Sequence, residues 1–136
     1  MASENLTDLQ QLAMRNCDCA RLPLLPGEEK ACLLQPLTGL GWSIVQVDGR
    51  DDAADSLQKV FALPDFLSSL QLANKIGAVA EEMGHHPDLL VSWGALRVQI
   101  FTHSQKGLTL ADFVLAARIE LLFSVGDSLS SNPRKP

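Results

Sequence analysis

This chain has little of what an extended charged or apolar partner requires. Its 136 residues contain no apolar run of about 18, the length at which a membrane-spanning helix is expected. Lys and Arg total 11 against 16 Asp and Glu, a formal charge of −5. No basic run interrupts that balance, so the clustered cations of a nucleic-acid-binding surface are missing. No basic segment leads into an apolar core, which makes a soluble, unexported, cytoplasmic protein the expectation. Cysteine is scarce as well: Cys17, Cys19 and Cys32 are an odd set without an export signal, read as reduced thiols. The "CDC" at 17–19 offers two metal ligands, but a closed zinc site takes about four and no second cluster lies near it. Glycine-rich phosphate loops are absent, and no serine or cysteine stands in a nucleophile context.

What is present reads as one globular domain: 46% hydrophobic and 20% charged residues on a length that supports a single core. Residues 1–25 lack sustained periodicity and end in "LPLLPG", so they are expected to be a flexible N-terminal extension. The folded domain is expected over 26–126, followed by a disordered polar tail, 127–136.

Within that domain a short helix is predicted from Glu28 to Gln35, stopped by Pro36 and Gly39. "GWSIVQV" (41–47) and "SLQKVFAL" (56–63) read as strands joined by a solvated acidic tip. A helix follows from Pro64 to Met83, whose apolar residues span about half its cylinder, enough for a sheet and a second subunit. Gly84 supplies a left-handed stop, supported by Pro87. "LLVSW" and "ALRVQIFTH" form a hairpin around Gly94, with Leu96, Val98 and Ile100 on one face and Arg97, Gln99, Phe101 and His103 on the other. Thr109 with Asp112 then opens the last helix as a capping box. The order α-β-β-α-β-β-α predicts an α+β fold: a four-stranded antiparallel sheet with three helices packed on one face.

Histidine is rare too, with three in the chain, and two of them share the corner "GHHPD" (84–88). Gly84 and Pro87 stiffen the backbone around His85 and His86, and His103 lies at a strand end that can return to the same place. Imidazole titrates near neutrality, so such a cluster can give and take protons at pH 7, each contribution worth about 10²–10⁴ in rate. Other readings stay open on the residues alone. The pair can interact with the last helix carbonyls, or three imidazoles can form a zinc site. Asp112 can be a cap, Glu81 a solvated carboxylate, and Trp93 plain packing. No substrate follows from this.

The spacing does more. Glu81-x3-His85-His86-Pro87, then five residues to Trp93, nine to His103 and eight to Asp112, resembles the signature of the pterin-4a-carbinolamine dehydratases. The resemblance runs from Gly41-Trp42 through "DFLSSLQLANKIGAVAEEMGHHPDLL" to "GLTLADFVLAARIE". It implies the fold predicted above, assembly as a homodimer or homotetramer, and no metal or organic cofactor. It also implies dehydration of 4a-hydroxytetrahydropterin to quinonoid dihydropterin, which recycles the cofactor of aromatic amino-acid hydroxylases such as phenylalanine hydroxylase. By the same resemblance His85, His86 and His103 are catalytic; the mechanistic expectation set beside it is that His85 and His103 share acid and base work while His86 orients the hydroxyl. Gly84, Phe101, Thr102 and Ser104 line the pterin site. Glu81 bonds a histidine or the pterin, Trp93 walls the pocket, and Asp112 supports from behind. The acidic hairpin tip, Pro36 and the N-terminal 25 residues depart from the family pattern. Animal members also act as dimerisation cofactors of a homeodomain transcription factor. A catalytically idle, protein-binding scaffold on this fold therefore stands as the competing reading.

Overall fold

The computed structural model describes residues 7–15, 22–47 and 55–130. Its elements run α1 (Asp8–Ala13), α2 (Gly27–Thr38), β1 (Ser43–Gln46), β2 (Asp55–Ala62), α3 (Phe66–Met83), β3 (Asp88–Ser92), β4 (Ala95–Ile100) and α4 (Leu110–Ser130). The strands form one antiparallel sheet in the order β1-β2-β4-β3. Two local hairpins are thus joined along β2 and β4, where Leu57 faces Ile100 and Phe61 faces Leu96. The α+β class and the four-stranded sheet agree with the sequence expectation.

Period-two alternation explains which face is covered. Leu57 and Phe61 of β2 and Leu96, Val98 and Ile100 of β4 are buried against Leu72 and Ile76 of α3 and Phe113 and Ile119 of α4. The alternation expected to continue to His103 stops at Ile100, because Phe101 turns inward and is buried.

The helices depart from expectation at three points. There are four among the described residues rather than three, because Asp8–Ala13, inside the expected flexible extension, forms a helix. Its start is a capping box: the Thr7 side chain accepts from the Gln10 N–H while the Gln10 side chain accepts from the Thr7 N–H. Leu12 and Ala13 pack against α4. Arg118 donates from Nε to the Ala13 carbonyl at 2.8 Å and from Nη2 to the Arg15 carbonyl at 3.1 Å, satisfying the end of the short helix. This cover explains why α4 is buried on every side from Ala111 to Ala117. Second, Pro36 does not end α2, which runs on to Thr38. The N–H that proline lacks would have met the Cys32 carbonyl on an exposed stretch, and the fully buried Leu37 anchors the turn beyond it. Third, α4 continues to Ser130, into the expected tail. Cys17, Cys19, the acidic tip at 48–54 and residues 131–136 lie outside the described residues.

Under α4, Glu120 Oε2 accepts from Trp42 Nε1 at 2.7 Å and from Lys59 Nζ, and the Lys59 ammonium sits 4.3 Å from the Phe61 ring centroid. A charge pair with so little solvent contact is held only because each partner compensates the other.

Candidate active site

The end of α3 aims the histidine corner. Gly84 has φ +70°, and the reversal it makes lets its N–H reach the Glu81 carbonyl at 3.2 Å and that of His85 reach Ala80 at 3.1 Å. These two bonds close the helix and fix the His85 backbone before β3 begins. A side chain at Gly84 would meet open space, so the glycine is there for its φ.

His85 and His86 then diverge. His85 turns inward: it is 7% exposed, and its Nε2 lies 2.6 Å from Asp112 Oδ1. His86 stays in solvent, with Nε2 2.7 Å from Glu81 Oε2 on the preceding helical turn. The two nitrogens therefore face two different carboxylates. Among the described residues, no group of three or more His, Cys, Asp or Glu is arranged to hold a metal ion.

Asp112 reaches His85 because it stands in the first turn of α4, fully buried, with both oxygens engaged. Its Oδ2 accepts from the Thr109 N–H at 2.8 Å, one arm of the expected capping box. The other arm is diverted: Thr109 Oγ1 lies 2.9 Å from Thr102 Oγ1, and the Thr102 hydroxyl donates to the same Asp112 oxygen at 2.8 Å. The cap and the support of His85 are thus both performed by one carboxylate.

Thr102 leads directly to His103. Its N–H donates to the Gly107 carbonyl at 2.8 Å, and its own carbonyl accepts from Lys106 at 2.8 Å, closing a tight turn over 102–107. Lys106 takes the left-handed φ of 57° that the turn requires. His103 is exposed on this turn, stacked on the buried Phe101 ring with centroids 4.2 Å apart. The network Thr102–Asp112–His85 consequently ties the strand end carrying His103 to the helix end carrying His85 and His86.

The remaining expected site residues separate. Ser104 is exposed on the turn beside His103, whereas Thr102 is buried with its hydroxyl turned to Asp112. Trp93 is 75% exposed at the β3–β4 reversal, the end of β4 opposite His103. At about 3.3 Å per residue the intervening six-residue strand holds them roughly 20 Å apart, so one chain does not bring Trp93 to the histidines. Thr109 was missed by the sequence reading as a contributor beyond capping. Its hydroxyl connection to Thr102 has no sequence signature.

Residues 23–122 match the family model described as pterin 4 alpha carbinolamine dehydratase. The chain belongs to that family. A protein of Rubrobacter xylanophilus, provisionally named a pterin-4-alpha-carbinolamine dehydratase, is 34% identical over 116 residues, 84% of this chain and all of that one. A likewise named protein of Rickettsia bellii is 54% identical over 66 residues, 48% of this chain; that match spans 58% of the relative's length. A crystal structure from Brucella melitensis, titled a transcriptional coactivator/pterin dehydratase, superposes with a TM-score of 0.60 at 26% identity, covering 73% of this chain and 97% of that one. Among the described residues, no helix of this family member is long and apolar enough to cross a membrane.

Proposed function

We propose that the chain removes water from a 4a-hydroxytetrahydropterin. In that reaction the C4a–O bond breaks, the hydroxyl takes a proton and leaves as water, and a base takes the proton from N5. The electron pair freed at N5 forms the C4a–N5 double bond of the quinonoid product. One proton enters and one leaves, so acid–base groups suffice.

The observation that carries this reading is the buried His85–Asp112 pair. With Nε2–H donated to the carboxylate, a neutral His85 keeps Nδ1 free to accept a proton, and Asp112 then balances the imidazolium. His85 and His103 divide proton removal from N5 and proton delivery to the hydroxyl, while His86, held by Glu81, orients the hydroxyl. Gly84, Phe101 and Ser104 frame the site through the helix stop, the stacking surface and the turn. The product would return, after reduction, to an aromatic amino-acid hydroxylase such as phenylalanine hydroxylase.

The test is loss of water from chemically generated 4a-hydroxytetrahydropterin, followed by ultraviolet absorbance, for wild type and the His85→Ala/His103→Ala double variant. Acceleration by wild type alone supports the reading. A folded wild type that matches the uncatalysed rate sinks it and leaves the protein-binding scaffold.

Self-association belongs to the same proposal. Phe66, Leu67 and Leu70 form an exposed apolar patch on α3, the helix whose apolar surface exceeds what the sheet covers. Sedimentation is expected to show a dimer or tetramer that Leu70→Glu weakens; a wild-type monomer at micromolar concentration would overturn this.

A further inference from the structure

Thr102 and Thr109 form a hydroxyl chain whose direction is set by the groups at its end. The Thr102 hydroxyl donates to Asp112 Oδ2, so its single proton is spent there. The 2.9 Å contact between the two hydroxyls then requires Thr109 to donate and Thr102 to accept. Both side chains are buried, Thr109 completely, and no buried side-chain polar atom among the described residues is left unpaired. Asp112 Oδ2 accordingly receives two donors, the Thr102 hydroxyl and the Thr109 N–H, each at 2.8 Å. Two donors on one oxygen hold the carboxylate against rotation and leave Oδ1 as the oxygen that meets His85 at 2.6 Å.

We infer that Thr102, with Thr109 behind it, is a positioning residue: it orients the Asp112 carboxylate so that His85 is held as the Nε2–H tautomer with Nδ1 turned to the substrate. This assigns Thr102 away from the pterin. It rests on the dehydratase reading only for its consequence in turnover, since the orientation of Asp112 and His85 is a property of the folded chain.

A carboxylate with a single donor on Oδ2 can swing about its terminal torsion, which is broad for Asp, and present either oxygen to the imidazole. The His85 ring would then lose its fixed partner and exchange its N–H proton with water more readily. Valine replaces the Thr102 hydroxyl by a methyl group of similar size, and serine restores the hydroxyl without that methyl.

The experiment observes the imidazole N–H protons and nitrogen-15 shifts of the full-length protein, with His85→Gln assigning the His85 signal. Wild type and Thr102→Ser are expected to show His85 protonated at Nε2, with that proton in slow exchange. Thr102→Val is expected to speed its exchange at least tenfold, and to lower kcat on 4a-hydroxytetrahydropterin about tenfold with KM little changed. If Thr102→Val does not fold, Thr102→Ala takes its place, because it removes the same hydroxyl donor to Asp112 Oδ2 and keeps the Thr109 N–H donor. Protonation at Nδ1 in wild type, or wild-type exchange in whichever variant lacking the Thr102 hydroxyl folds, overturns the inference. A wild type without turnover but with the expected His85 signal overturns the dehydratase reading and leaves the positioning role standing.

Discussion

Asp112 Oδ1 lies 2.6 Å from His85 Nε2 although 27 residues separate them in sequence, and the contact joins the start of α4 to the end of α3. Both side chains are buried, and the carboxylate is held from behind by Thr102 and Thr109. The site is therefore anchored in the helix layer beneath the sheet, with His86 and His103 reaching out from it into solvent.

Asp112→Asn keeps the size of the side chain and removes its charge. An amide can present its NH2 to His85 and favour the other tautomer, so dehydration is expected to fall by about 10²–10⁴. Steady-state kinetics on 4a-hydroxytetrahydropterin checks this; activity within a factor of about two of wild type would exclude Asp112 from the mechanism.

Gly84→Ala meets no steric neighbour but must hold φ near +70°. The left-handed backbone is expected to cost about 1–2 kcal/mol in urea unfolding. Relaxation that relieves this strain would move His85 and His86, so the variant is also expected to lose turnover while folded.

Leu12→Ala tests whether α1 belongs to the folded domain. Leu12 is 4% exposed against the core, and its truncation is expected to cost about 2–5 kcal/mol. A loss below about 0.5 kcal/mol, the range of ordinary surface changes, would return residues 8–13 to a loose extension.

Glu120→Ala leaves the Lys59 ammonium and the Trp42 N–H without their shared acceptor beneath α4. Removing one partner of a buried pair is expected to destabilise by about 3–5 kcal/mol, read by thermal or urea denaturation. The His85 N–H signal should be unchanged in the folded variant, since the cluster lies two helical turns from Asp112 along α4.

Much of this molecule was legible in local pattern. The strand alternation at Leu96, Val98 and Ile100, the width of the α3 apolar face and the glycine stop at Gly84 each follow from short-range sterics and periodicity, and each is where it was expected. The spacing of Glu81, His85, His86, Trp93, His103 and Asp112 carried the family, which the comparisons then showed. Tertiary packing decided the rest. Residues 8–13 are too short to be stable as an isolated helix and fold because the far side of α4 needs cover. Pro36 is tolerated within α2 because Leu37, just beyond it, is fully buried. Asp112 reads from sequence as a cap, and only the approach of α3 and the 102–107 turn makes it the partner of His85 as well. Trp93 stands close to the histidines in sequence yet at the far end of β4, because an antiparallel hairpin carries its reversal away from its base. Sequence by itself determined the four strands, the helices from α2 to α4, their order and the family, since these depend on neighbours a few residues apart. Which oxygen meets which nitrogen was decided by contacts between distant segments, and those exist only once the sheet and helices have packed.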